Sequence, residues 1–92
     1  MALKRLPKNP SRLRSESEQK LLKAIGRQVH KDLADKGKPV EWLAFEAETA
    51  RSTVRRIFDG DGNIGIATLD RISRALGYAD VIEFFKRLQA RS

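Results

Sequence analysis

Residues 51–58, "RSTVRRIF", carry Arg51, Arg55 and Arg56 and no acid. A guanidinium is a planar fork of N–H donors that stays charged at physiological pH. The fork matches paired acceptors, such as two phosphate oxygens or the O6 and N7 atoms of guanine. Ser52 adds a hydroxyl that both donates and accepts. At about 100° per residue, Val54, Ile57 and Phe58 share one side of a helix. Ser52, Arg55 and Arg56 fall opposite, with Arg51 at the margin in the first turn. The apolar side must dock on a domain, so the arginines project outward. Three cations on one short helix repel one another, whereas an ordinary solvated face mixes in acids. The pattern therefore points to an anionic partner.

The whole chain leans the same way. It has 92 residues, 40% of them apolar, a net charge of +7 and a pI near 10.3. That is enough for one modest core and favours a polyanion as partner. There is no cysteine, which excludes a disulfide framework and a thiolate zinc site. No apolar run reaches the ~18 residues of a membrane span, and no apolar stretch of signal-peptide type follows the basic N-terminus. Lys4, Arg5, Lys8, Arg12 and Arg14 contribute +5 of the +7. Pro7 and Pro10 break any helix there, so residues 1–14 read as a mobile basic arm ahead of a domain over 15–92.

Five helices can position the arginines. "SESE" offers Ser15 as a cap with Glu18 three residues on. Leu21, Leu22, Ile25, Val29 and Leu33 then recur at helical spacing up to Lys36, where Gly37 and Pro39 end the helix. Gly26 lies inside it at a cost of roughly 1 kcal/mol relative to alanine. A close approach by another helix would account for it. A second helix runs from about Val40 to Ala47 and a third from Arg51 to Phe58, stopped by "DGDG". A fourth covers Ile66 to Leu76, and a fifth begins near Asp80. No strand alternation is present, so the fold class is all-α, five short helices around one core.

The stretch "VEWLAFEAETARSTVRRIFDG" resembles the helix-turn-helix of the lambda-repressor and Cro-like (XRE) regulators. Ala44 matches the small residue of the motif's first helix, Leu43-Ala44 its frequent "LA" pair, and Val54 and Ile57 its paired apolar positions. "IGRQVHKDLADKG" upstream and "GNIGIATLDRISRALGYADVIEFF" downstream resemble the family's first, fourth and fifth helices. The resemblance implies a five-helix DNA-binding domain in which Arg51, Ser52, Arg55 and Arg56 read base edges in the major groove. Lys38, Val40, Thr53 and Asn63 would then meet the DNA backbone. The two motif helices cross steeply, which requires small residues, and Ala44 and Ala47 satisfy that. Glu48 stands where the family commonly has glycine. A left-handed conformation there would cost it roughly 1–2 kcal/mol, unless the turn is longer or differently shaped. Val40 replaces a frequent phosphate-binding glutamine, and Asp61 a frequent basic residue.

Catalysis has no basis in these residues. His30 is the single histidine, with no nucleophile or carboxylate cluster at a recognised spacing, and Asp32 and Asp35 do not form a metal pattern. "GDGN" lacks the EF-hand and phosphate-loop patterns and reads as a connector. No enzyme activity, metal or cofactor is expected. Trp42 is read either as core or as open to a partner. The last helix, with Val81, Ile82, Phe84, Phe85 and Leu88, has more apolar groups than one core seam needs. Here "DV" followed by aromatics resembles small controller proteins of restriction–modification systems, which implies a homodimer through the last helices. The apolar groups to spare put Val81, Phe85 and Leu88 in that interface, with packing within a monomer as the alternative. The combined reading is a cytoplasmic, nucleoid-associated regulator of transcription, in the first instance a repressor, bound to double-stranded DNA. Two others stand beside it: an antitoxin that also binds its operator and neutralises a toxin protein, and a nonspecific architectural binder.

Overall fold

The computed structural model of the chain describes residues 16–61 and 64–91. They form α1 (Glu16–Lys36), α2 (Val40–Glu46), α3 (Arg51–Phe58), α4 (Ile66–Ala75) and α5 (Val81–Arg91), and no strand occurs among them. The expected all-α class and element order hold. Boundaries differ by one residue, because Ala47 caps α2, Leu76 caps α4, and α5 starts after Asp80. Ser15 and the arm over 1–14 lie outside the described residues.

Each end has a local cause. Glu16 and Glu18 sit in the first turn of α1 and Lys36 in its last, the arrangement that complements the helix dipole. Gly37 takes a φ of 70° and donates to the Ala34 carbonyl, while the Lys38 N–H reaches Leu33. This left-handed cap satisfies two of the last carbonyls. The N-terminus of α5 is capped twice. Asp80 accepts from the Glu83 N–H at 3.1 Å, and Asp70, from α4, accepts from the Val81 N–H at 2.9 Å.

The core joins Ile25, Val29 and Leu33 of α1 to Leu43 and Ala44, to Val54 and Ile57, to Leu69 and Ile72, and to Phe84. Leu21 departs from the expected apolar stripe, for it is 52% exposed. The residues that face inward follow i, i+3, i+7 and i+11 from Leu22, and Leu21 lies about 100° off that line. Gly26 is explained by α3. A Cβ at this position would strike the carbonyl oxygen of Ile57 and lie 2.7 Å from that of Phe58. The C-terminal turn of α3 thus rests directly on the backbone of α1.

A polar cluster ties α1 to the α4–α5 connection. Buried Gln28 donates to Asp32 at 2.8 Å, and the Tyr78 hydroxyl donates to the other Asp32 oxygen at 2.6 Å. Burial first, and then the Asp32 carboxylate, push the Tyr78 phenol up to about 12. It therefore remains a donor at neutral pH.

Candidate nucleic-acid interface

The site begins with the turn between α2 and α3. Ala44 and Ala47 are both buried where the two helices cross, which lets the backbones approach. The Thr49 N–H donates to Ala44 at 2.9 Å and the Glu48 N–H to Phe45 at 3.1 Å. Glu48 has a φ of 56°. The turn therefore keeps the left-handed residue where the family has glycine, and the strain of roughly 1–2 kcal/mol falls on a glutamate. Arg71 of α4 donates from Nε to the Ala47 carbonyl at 2.9 Å and from Nη2 to Thr68 at 3.4 Å. Sequence reasoning missed this brace, because no local pattern links residues 24 positions apart.

On α3, Val54 and Ile57 have no exposed surface. Phe58 is half-buried, with its ring edge-to-face against His30 at 4.9 Å. These contacts fix the rotation of the helix. Arg51, Ser52, Arg55 and Arg56 are all exposed and, with Ala50, line one shallow hollow. The structure therefore brings all four expected base-reading residues onto one outward surface. Arg51 also meets Glu41 of α2, with Nη1 3.3 Å from Oε2. The Glu41 carboxyl is held below its ordinary value, first by a bond with its own backbone N–H and then by Arg51.

The residues expected at the DNA backbone are more scattered. Val40, the first residue of α2, and Thr53 of α3 are half-buried, while Lys38, two residues before Val40, is exposed. The Lys38 ammonium lies 5.6 Å from the centre of the Trp42 ring, and that of Lys36 lies 6.0 Å from it. Trp42 is itself half-buried against the core, so it is neither wholly interior nor open. Asn63, Lys4, Arg5, Lys8, Arg12 and Arg14 lie outside the described residues. Phe45, on the outer side of α2, is 78% exposed, an apolar surface that the sequence expectations do not include.

On α5, Phe84 is fully buried. Val81, Phe85 and Leu88 are half-buried and pack partly on the core, whereas Ile82 is 60% exposed. Leu21, Phe85 and Leu88 line one groove along α1, so the apolar surface near the last helix extends onto the first. Among the described residues, no histidine, aspartate and glutamate group could hold a metal ion. No helix among them is long and apolar enough to cross a membrane.

Neither a family model nor a curated protein sequence matches the chain. Solved structures do. A tyrosine-to-phenylalanine mutant of the Restriction-Modification Controller Protein C.Esp1396I superposes with a TM-score of 0.68 at 28% identity, over 77% of this chain and 89% of that one. An arginine-to-alanine mutant of the same protein gives 0.68 at 27% identity, over 77% and 93%. The tetramer of that controller protein in complex with its natural 35 base-pair operator gives 0.67 at 28%, over 76% and 91%. The resemblance of the sequence to small helix-turn-helix controller proteins is thus matched in three dimensions.

Proposed function

We propose that the protein is a sequence-specific DNA-binding regulator of transcription that reads the major groove with α3. The observation that carries this is the outward arginine surface of α3, set on a helix whose opposite side, Val54 and Ile57, is fully buried. A helix held that way presents its N-terminal part to base edges while its neighbours meet phosphates. The likeness to a controller protein solved on its operator supports the reading. Binding at a promoter represses transcription by excluding polymerase. Two copies on a near-palindromic site double the few base contacts that one domain can make.

Selection of binding sites from random duplexes with the purified protein is the primary test. On the selected site, Arg55→Ala and Arg56→Ala should each weaken binding by about 1–3 kcal/mol and relax base preference locally. Circular dichroism should hardly change, since both side chains point into solvent. If both variants bind like the parent, α3 is not the reading helix. Equal affinity for random and selected duplexes would mark an architectural binder instead.

The basic residues of the N-terminal segment make a separate prediction. Removing residues 1–14 should lower DNA affinity and flatten its salt dependence, because each lost phosphate contact removes nearly one unit of slope. A salt series that superimposes on that of the full chain would remove this segment from the DNA interface.

A further inference from the structure

We propose that Glu41 is the positioning residue of Arg51, holding its guanidinium across the turn so that one edge of the fork stays aimed for base recognition. The inference rests on the reading of α3 as the groove-entering helix.

Arg51 is the first residue of α3 and Glu41 the second of α2, so their contact at 3.3 Å spans the two helices of the motif. It occupies Nη1 alone. The Nε and Nη2 donors remain for two parallel bonds to a pair of acceptors, the geometry that suits guanine O6 and N7. An arginine at the start of a helix otherwise samples many rotamers, and ordering it on binding opposes affinity. A partner already in place reduces that loss. The Glu41 carboxyl is held below its ordinary value, first by its own backbone N–H and then by Arg51, with Arg55 adding to the field, so it remains the charged partner of Arg51.

Position argues against a bystander. A carboxylate beside a surface meant for DNA repels phosphate, so it weakens binding to every sequence alike. Its useful effect is on selectivity. It takes up part of the Arg51 charge that would grip any backbone, and it leaves the directional edge that distinguishes bases. Glu41 is thus expected to lower nonspecific affinity and raise discrimination at the base pair that Arg51 reads.

The experiment compares Glu41→Ala, Glu41→Gln, Arg51→Ala and the double variant Glu41→Ala/Arg51→Ala. Affinities are measured on the selected site, on its single-base variants and on random duplex. Glu41→Ala should reduce discrimination at one base pair by about tenfold, the loss of one oriented bidentate contact. Glu41→Gln keeps an acceptor oxygen for Nη1 and should retain most of that discrimination, although its affinity for random duplex rises. In the Arg51→Ala background, Glu41→Ala should change discrimination no further. Three results would each overturn the proposal: no change in base preference, equal effects of Gln and Ala, or a full effect that persists without Arg51. A parent without sequence preference would remove the reading of α3 itself, whereas a selective parent with a silent Glu41→Ala removes only the role of Glu41.

Discussion

Gly26→Ala should lower the melting temperature by roughly 10–20 °C and weaken DNA binding further than the melting shift alone explains. An added Cβ meets the carbonyl oxygens of Ile57 and Phe58, which are backbone atoms with no rotamer to escape into. Overpacking typically costs about 1–3 kcal/mol, and a rigid neighbour puts the cost at or beyond the upper end. The better helix propensity of alanine returns about 1 kcal/mol, not enough to offset it. For a domain of this size each kcal/mol moves the transition by about 4–8 °C. The strain is relieved only if the end of α3 lifts from α1. That motion tilts the helix bearing Arg51, Arg55 and Arg56, so recognition suffers even in molecules that remain folded. Thermal unfolding followed by circular dichroism, paired with binding to the selected site, tests both parts. A variant melting at or above the parent would mean that α3 does not rest on Gly26.

Gly26 also shows where reading the sequence stops. Its presence in a long helix was visible as an anomaly, and a close approach was the expected cause. Which helix approached was not visible, since residues 26 and 57 share no local pattern. The residues of α3 were legible for the opposite reason. Burial of Val54 and Ile57 and exposure of Arg55 and Arg56 follow from one helical period, and no distant contact alters it. Leu21 is left outside the core because the five apolar residues expected in the stripe of α1 outnumber the positions that one core-facing line can bury. Glu48 stands out in the sequence, but its left-handed backbone does not, because the turn it belongs to is braced by Arg71, far along the chain and bonded to the Ala47 carbonyl. Likewise Asp32 looked like a candidate metal ligand to be discounted. Its actual partners are Gln28, one turn away, and Tyr78, 46 residues on. Propensity and periodicity are local, so they recover faces and caps. Braces between elements become visible only once the elements are docked.

The same division separates two adjacent phenylalanines, and it sets opposite outcomes for one substitution at each. Phe84 has no exposed surface, and its ring is enclosed edge-to-face by Tyr78 at 5.4 Å and Phe85 at 5.9 Å. Phe84→Glu places a carboxylate in that fully buried apolar enclosure, a cost of several kcal/mol and a large share of the stability of such a domain. It should yield a largely unfolded chain. Phe85 lies about 100° further round α5, half-buried, toward the flank that carries exposed Ile82. It also lines the groove to which α1 contributes Leu21. A glutamate at residue 85 can turn its charge to water in a monomer, so the fold should survive. It cannot do so where a second copy covers this flank, because a C2 interface would bring two such carboxylates into one apolar contact. Phe85→Glu should therefore give a folded monomer that binds a half-site weakly and loses cooperative binding to the full site. Sedimentation decides the assembly, and circular dichroism shows whether the monomer is folded. A folded Phe85→Glu variant that still sediments as a dimer places the contact elsewhere, with the exposed Phe45 surface of α2 the next to test. A parent that is already monomeric at micromolar concentration removes the dimer altogether and leaves each domain to read its DNA alone.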